Sequence, residues 1–510
     1  MSLMRSGIVV STMTLLSRIL GLVRDIFLAN LMGAQAAMDV FLVAQKIPNF
    51  LRRLFAEGAF AQAFIPVLSE YQETKTKQDV LHLVSRVSGT LGVILFFVTI
   101  VGVLGSKGIA TAFSPGFMVN SETKFSLVSE LIKITFPYIL FISMTAFAGS
   151  ILNSLNKFAV PAFAPVLLNV CLISAAIWIS PMLEQPVYGL AWAIFVAGVL
   201  QLLLHLPFLW RAGYLVKPVW SWHDSGVRKI LKLMTPALFG VSVQQINLLL
   251  DTIIASFLVT GSVTWLYYSD RMLEFPLGIF GIAIATVIMP SLSRQYAAGD
   301  QQKRDRLLNW GLHLVMLIGL PAAVGLFVLA EPVMLTIFQH GEFTIDAAFR
   351  SGQSLQAYVV GLLSFMFVKV LATGFFSMQD TKTPVKIGVV ALVTNMAFNL
   401  ILFKPYGHVG LAMATTISAS TNALLLWLFL VRKGVVTLSK QWLWWLARAT
   451  FAAAAMVATI SWAEPSIDVW RQWDNLARAY QLTQLIFIVA AVYLLLLVML
   501  GFRPSDIKAP

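Results

Sequence analysis

The chain has 510 residues, of which 58% are hydrophobic and only 12% charged, with a mean hydropathy of +0.82. A soluble protein of this length carries about twice that charged fraction, so composition excludes a soluble globular enzyme and predicts an all-α polytopic membrane protein. The formal charge of +13 raises nucleic acid as a partner, but the basic residues collect in alternate loops, which makes the excess a matter of membrane topology.

The N-terminal stretch MSLMRSGIVVSTMTLLSRILGLVRD has its apolar core broken by Arg18 and no small-residue cleavage site after it. It therefore reads as a first span and not as a signal peptide. At about 20 residues per span the chain accommodates fourteen, near 7–31, 37–68, 84–104, 128–152, 160–180, 187–209, 230–257, 263–291, 308–329, 352–377, 385–403, 409–430, 443–462 and 481–501. With the N-terminus inside, the inner loops hold most of the lysines and arginines, among them Lys75, Lys77, Arg86, Arg211, Lys217, Arg228, Lys229 and Lys232. The outer loops hold only Lys107, Lys124, Arg350, Lys404, Arg471 and Arg478. Both termini are thus expected in the cytoplasm. The single cysteine, Cys171, lies in an apolar run and permits no intrachain disulfide.

Four pairs of short segments recur in the same order at offsets of about 221–228 residues, the signature of a duplication. RDIFLANLMG (24–33) echoes LDTIIASFLVTG (250–261), and AFIPVLSEY (63–71) echoes VIMPSLSRQY (287–296), aligning Pro66 with Pro290. NSLNKFAVPAF (153–163) lies over FSMQDTKTPVK (376–386), and YGLAWA (188–193) over VGLAMA (409–414). The repeat unit is six spans, so residues 1–212 and 213–433 are expected to form two pseudo-symmetric six-helix lobes. Residues 434–510 supply two C-terminal helices without a counterpart. Paired bundles of this kind build alternating-access transporters; the bland reading is a merely enlarged bundle.

Charges inside the expected spans do not follow the repeat. The first half carries Arg18, Arg24, Lys46, Arg52, Arg53 and Lys133 against Asp25, Asp39 and Glu57; the second carries Arg271 and Lys369 against Asp251, Asp270 and Glu274. A charge at the bilayer centre costs about 2.5–3.5 kcal/mol on insertion scales, so such groups face an interior cavity. Arg18 and Arg24 are six apart and share no face of a straight helix; a bend at Gly21 would turn both inward. Guanidinium forms forked bonds to phosphate oxygens and stays charged, so a basic excess of arginine points to a phosphate or diphosphate ligand. The competing reading is internal pairing, for example Arg24 with Asp39 and Arg53 with Glu57. Arg271 and Glu274, three apart, read equally as a closed salt bridge or as a gate residue with its resting partner. Lys46 aligns with Asp270 across the repeat. Asp251, Asn395, Asn399 and Thr415 place oxygen ligands in apolar helices, either as a Na⁺ site or, as asparagine more often does, as interhelical hydrogen bonds. No P-loop, HExxH or GxSxG motif is present, and the six histidines show no metal spacing.

The runs SRILGLVRD (17–25), MDVFLVAQKIPNFLRRLFAEGAFAQAFIPVLSEY (38–71), KITFPYI (133–139), NKFAVPAFAPVLLN (156–169) and YYSDRMLEFPLGIFGIAIATVIMPSLS (267–293) resemble the MurJ family of lipid II flippases, of the multidrug/oligosaccharidyl-lipid/polysaccharide exporter superfamily. The resemblance covers nearly the whole chain. It implies two six-helix lobes, a C-terminal helix pair forming a groove for the polyprenyl tail, and movement of lipid-linked GlcNAc–MurNAc-pentapeptide from the inner to the outer leaflet of the bacterial cytoplasmic membrane. Arg18, Arg24, Asp39, Arg52, Arg53, Arg271 and Glu274 fall on the family's essential or cavity-lining positions, with Ser17, Asp25, Lys46, Glu57, Asp270 and Lys369 as further candidates. Asn399 stands where that family's cation site has an acid, which leaves membrane potential beside Na⁺ as the driver. No other cofactor is implied; the expected partners are lipid II, membrane lipids and other cell-wall synthesis proteins, with the chain itself a monomer. Two rival readings are an exporter of another polyprenyl-linked oligosaccharide or of drugs, and an intramembrane glycosyltransferase. A drug cation favours an acidic cavity, and a glycosyltransferase would lack the six-span duplication.

Overall fold

The computed structural model describes the backbone of residues 3–436 and 440–503, and the side chains of these except 3–9, 55–57, 237, 239–244, 248 and 440–443. Among the described residues every regular element is a helix. This is what a bilayer demands, because a helix satisfies its own backbone hydrogen bonds where no water can.

Cα packing divides the chain into two compact units, the first running to Val263 and including His340–Glu342, the second comprising the rest. The first unit opens with α1 (Leu3–Met32). An unbroken helical run comes next, made of α2 (Ala36–Leu51), a π-helical stretch over Arg52–Phe60, and α3 (Ala61–Thr74). Pro48 removes one backbone donor just before the π stretch, and insertion of a residue into the helical ladder there re-aims the side chains beyond it, Arg52 and Arg53 first. Then come α4 (Lys77–Leu104), the short α5 (Ser106–Phe113) and α6 (Pro115–Asn120), and α7 (Glu122–Thr135). The unit continues with α8 (Tyr138–Ser154), α9 (Ala159–Ser174), α10 (Pro186–Ala212) and α11 (Ser225–Ala255). Caps set the starts: Thr76 and Asp79 exchange bonds in a capping box on α4, and the Asp224 carboxylate accepts from the Gly226 and Val227 amides at the head of α11. The core of this unit is a stack of Phe60, Phe64 and Phe147, with ring centroids 5.1–6.1 Å apart, where the π stretch, α3 and α8 meet.

The second unit holds α12 (Ser262–Pro276), which leads through a π-helical turn at Leu277–Gly281 into α13 (Ile282–Ala297), then α14 (Gln301–Val328) and α15 (Ala330–Phe338). Next come α16 (Ile345–Val359), α17 (Leu362–Ser377) and α18 (Lys382–Arg432), which bends at Gly407. The last are α19 (Lys440–Ala463), α20 (Ile467–Gln472) and α21 (Asn475–Met499). α19 and α21 pack on each other and on α14. Tyr268, Phe338 and Phe343, all fully buried, tie α12 to α15.

Among the described residues nine helices are long and apolar enough to cross a membrane, and α16 with α17, bent by 42°, make a tenth. α1, the α2–α3 run and α11 are of comparable length and carry Arg18, Arg24, Arg52, Arg53 and Asp251. The two halves share backbone irregularities. A π-helical stretch comes after a proline in both halves, at Arg52 after Pro48 and at Leu277 after Pro276, and Pro66 and Pro290 both sit inside the next helix. Packing and duplication divide the chain at different points. The repeat boundary lies near 212, whereas α11 packs on the first unit's π stretch and α3.

Candidate functional site

Arg24 is almost wholly buried, at 7% exposure, on the side of α1 that meets α9. Its Nε and Nη2 both donate to Asp25 Oδ1, at 2.9 and 2.7 Å, and its Nη1 donates to Asn169 Oδ1 at 3.0 Å. The Asn169 amide in turn donates to the Ser17 backbone carbonyl at 3.0 Å. The result is a buried, hydrogen-bonded ion pair bridging two helices. The helical turn explains the partition: Arg18, six residues earlier, comes out exposed, as the angular separation on a straight helix requires. The bend expected at Gly21 is not needed, since Leu3–Met32 is one continuous helix. Arg24 and Arg18 are therefore not brought together.

The sequence offered Asp39 as an internal partner of Arg24; the bonds of the Arg24 guanidinium described above go to Asp25 and Asn169. Asp39, 1% exposed in the first turn of α2, accepts from the Gly261 backbone amide at 2.7 Å and has the Lys124 ammonium 4.0 Å away. Lys124 also donates to Thr260 Oγ1 at 2.7 Å, and the Gly116 amide donates to Ser256 Oγ at 3.0 Å. Asp39 thus anchors the segment after α11. A carboxylate early in a helix whose N-cap, Gln35, makes no side-chain capping bond is favoured by the helix dipole as well.

Arg52 is half-buried and Arg53 exposed, both at the start of the π stretch. The side chain of Glu57, expected partner of Arg53, lies outside the described residues. Lys46 donates to Thr252 Oγ1 on α11 at 3.1 Å. Its repeat counterpart Asp270 belongs to the second unit and is half-buried, as is Lys369.

In the second unit Arg271 Nη1 donates to Glu274 Oε2 at 3.0 Å and Nη2 to the Tyr267 hydroxyl at 3.2 Å, with the guanidinium 4.9 Å from the Tyr267 ring centroid. The pair is closed, yet its side chains are 37% and 52% exposed, so a competing anion has access to both. The neutral oxygen set also assembles. Asn399 Nδ2 donates to Asn395 Oδ1 at 2.8 Å, Asn395 Nδ2 to Thr415 Oγ1 at 3.3 Å, and Thr415 Oγ1 to the Leu411 carbonyl at 3.0 Å. This chain of bonds joins the two limbs of α18, the interhelical role that asparagine usually takes in apolar helices. Asp251 belongs to the first unit.

Three residues enter the site that sequence reasoning passed over. Asn169, an amide in an apolar helix, was detectable by the same signal that marked Asn395. Lys124, counted as a loop lysine, and Tyr267, a tyrosine one helical turn before Arg271, were not.

With this geometry in view, the sequence profile of the family described as lipid II flippase MurJ matches residues 28–498. The chain is 52% identical to the probable lipid II flippase MurJ of Vibrio cholerae serotype O1, over 99% of this chain and 98% of that protein. It is 50% identical to the corresponding probable flippase of Haemophilus influenzae, over 96% and 98%. Among solved structures, the lipid II flippase MurJ in an inward closed conformation superposes with a TM-score of 0.82 at 26% identity, covering 96% of this chain and 98% of that one. An inward-facing multidrug resistance MATE family transporter of the MOP superfamily gives 0.68 at 15% identity over 84% and 98%, a likeness of fold alone.

Proposed function

Because this chain belongs to the MurJ family of lipid II flippases, it is a multi-pass membrane transporter of a peptidoglycan precursor and not an enzyme, and we propose that accessible arginines in its first unit hold the precursor's diphosphate during transfer. The observation that carries this reading is the exposure of Arg18 and Arg53 within long, otherwise apolar helices. Lipid-facing guanidinium is costly, so accessible positions of this kind suit a hydrated cavity. Guanidinium there donates two parallel bonds to phosphate oxygens and lowers the cost of carrying two negative charges through a low-dielectric layer. Half-buried Arg52 extends the same set.

Arg24 is assigned a positioning role. Its bonds to Asp25 and Asn169 fix α1 against α9, so that Arg18 projects from a rigid element, as a preorganised site needs. Asp39 holds the α11–α12 connection. Arg271 and Glu274 form a gate, the arginine exchanging Glu274 for the incoming anion as the two units alternate between inward- and outward-facing states. We read fourteen spans with both termini cytoplasmic, residues 1–212 and 213–433 as the two repeats, and transfer from inner to outer leaflet. Exposed apolar side chains on α19 and α21, such as Trp462 at 88% and Phe487 at 71%, suit a groove for the polyprenyl tail. Asn395, Asn399 and Thr415 offer only neutral oxygens, two of which already accept protons within the set. These three supply no carboxylate to balance a cation, and membrane potential is the proposed driver. The chain is proposed to act as a monomer.

The test is protection of fluorescent lipid II from an impermeant quencher in proteoliposomes. Wild type is expected to change the quenchable fraction and Arg18→Ala to abolish that change. Equal transfer by both proteins would overturn the arginine assignment, and transfer of a drug cation in place of lipid II would favour a multidrug exporter.

A further inference from the structure

The first unit contains an apolar cavity of about 250 Å³, into which Leu51 and Phe60 bring the two ends of the Arg52–Phe60 stretch but neither arginine. One wall is a single face of α4, Val87, Leu91, Ile94 and Val98 among others, spaced three and four apart; the other is a face of α11, including Val227 and Leu231. From Val87 to Val98 the α4 wall is about 16 Å long at 1.5 Å per residue. Val98, at its far end, is 39% exposed. Thr90 and Ser143 are the only hydroxyl-bearing residues lining it.

The near end is roofed by the extended segment between α10 and α11. The Val219 amide donates to the Ser85 carbonyl at 3.0 Å, Ser85 Oγ donates to the Lys217 carbonyl at 2.6 Å, and the Ser221 amide donates to Thr90 Oγ1 at 3.1 Å. Thr90 is itself a lining residue, so the roof is fastened to the cavity wall. The roof lies tight on α4: a β-carbon on Gly89 would stand 2.3 Å from the Val219 backbone. Two stacked indoles project from it, Trp220 and Trp222, 6.1 Å apart and 52% and 43% exposed. Tryptophan exposed at a membrane face sits at headgroup level. Basic side chains surround it. Arg86 pairs with Asp224 and Lys229 with Glu70, and Arg228 Nη2 lies 2.8 Å from His223 Nδ1. Among the described residues Lys217 and Lys232 form no ion pair with a carboxylate, and both are exposed. Lys232 lies one residue along α11 from the cavity-lining Leu231.

An apolar slot of this length, with indoles at headgroup level and uncompensated lysines at one end, is complementary to an amphiphile with an anionic head. We propose that this is a binding site for an anionic glycerophospholipid of the leaflet on the Lys/Arg-rich face. One acyl chain lies between α4 and α11, and the phosphate group meets Lys217 and Lys232 beneath Trp220 and Trp222. The occupant is a bulk membrane lipid and is distinct from the transported one: no arginine of the proposed diphosphate site lines the slot, its headgroup meets lysines instead, and it takes one chain of ordinary length. Each lysine near an anionic headgroup is worth roughly fivefold in occupancy. Acyl-chain burial alone would accept a zwitterionic lipid equally.

The test uses the full chain in phosphatidylcholine nanodiscs doped with phosphatidylglycerol or phosphatidylcholine probes that carry the same diazirine acyl chain, with adducts mapped by peptide mass spectrometry. The phosphatidylglycerol probe is expected to label residues 87–98 and 227–234 well above the phosphatidylcholine probe. Lys217→Gln with Lys232→Gln should bring the two probes level, and Lys217→Arg with Lys232→Arg should preserve the preference, which separates lost charge from lost fold. Leu91→Trp, filling the slot, should remove adducts from both probes at these helices. Equal labelling by the two probes in the wild type would show an unselective lipid contact and overturn the proposal. Absence of adducts, or an undiminished preference in the glutamine variant, would overturn it as well.

Discussion

Arg24 and Arg18 stand on one helix in opposite environments, and their substitutions should separate cleanly. Removing the Arg24 guanidinium takes two hydrogen bonds from the Asp25 carboxylate, 1% exposed, and breaking a buried ion pair in this way costs about 3–5 kcal/mol. Arg24→Ala is therefore expected to lower the thermal unfolding midpoint sharply in detergent. Arg18→Ala, at an exposed position, should stay within about 0.5 kcal/mol of wild type while losing transport. Melting curves alongside the quenching assay measure both. A second residue-scale prediction concerns Glu464, just beyond α19. Burial, and then the neighbouring Glu331 carboxylate, push its carboxyl up to about 7 from an ordinary 4.5. A carboxyl that holds its proton more tightly when folded removes stability as pH rises from 4.5 to 7, and the loss is complete above 7. Glu464→Gln should accordingly stabilise the protein at pH 8, by on the order of 1 kcal/mol given its partial exposure, and leave it unchanged at about pH 4. A melting series across that range decides; a flat difference would show that Glu464 is not titrating. The arginines themselves were legible in the sequence because charge in an apolar span is conspicuous. Their partners were not: Asp25 is adjacent to Arg24 in sequence, but whether neighbouring side chains meet depends on rotamers that packing against Asn169 selects. Arg478 shows the same limit from the other side. It reads as an outer-loop arginine, yet it is 2% exposed and donates to the Trp470 and Arg471 carbonyls and to Gln339 Oε1, joining α20, α21 and the end of α15.

At the scale of elements, proline marks the irregularities and glycine permits the sharpest of them. The π stretches after Pro48 and Pro276 fall at equivalent points of the two repeats, so the backbone defect was duplicated with the scaffold while Arg52 and Arg53 occur in the first copy only. This separation of geometry from charge could be anticipated from sequence in part. The prolines and the repeat are readable, but the shift from α to π register depends on how many backbone carbonyls find a donor in the folded bundle, which no local pattern encodes. The bend in α18 is the clearer case. Gly407 adopts φ 56° and ψ −131°, a region closed to residues with a β-carbon, whereas a β-carbon there would meet no atom within 4 Å. Gly407→Ala should therefore act through backbone strain alone, costing about 1–3 kcal/mol. The pair Asn395–Thr415, which ties the two limbs of the bend, should lengthen in response. Loss of stability with unchanged proteolytic protection of the α18 limbs would fit the strain account, and a neutral substitution would refute it.

At the scale of the whole molecule, charge asymmetry between the halves makes the electrical driver testable. Hydropathy was enough to read an all-α membrane protein. The compact units were not legible, because α11 lies beyond the repeat boundary in sequence yet packs with the first unit, and tertiary contact carries no sequence period. Coupling to a driving force rests on the charge within the spans. The first repeat contributes Arg18, Arg52 and Arg53 as accessible or half-accessible cations, and the oxygen set Asn395–Asn399–Thr415 spends its amide protons internally. An anionic diphosphate moving outward across a membrane that is negative inside is driven by the potential at about 2.3 kcal/mol per charge per 100 mV. If one net charge crosses half of that field, the transfer rate should rise roughly sevenfold when a potassium ionophore sets up an inside-negative potential of about 100 mV across potassium-loaded vesicles, again by the energy per charge. Replacing Na⁺ with choline at constant potential should leave the rate unchanged, because the set supplies no carboxylate and two of its three side-chain oxygens already accept bonds within it. Proteoliposomes loaded with potassium and diluted into sodium or choline media measure both dependences in one preparation. Dependence on Na⁺ with indifference to the ionophore would reverse the assignment and make the asparagine pair in α18 a coupling site whose hydrogen bonds open to admit the ion.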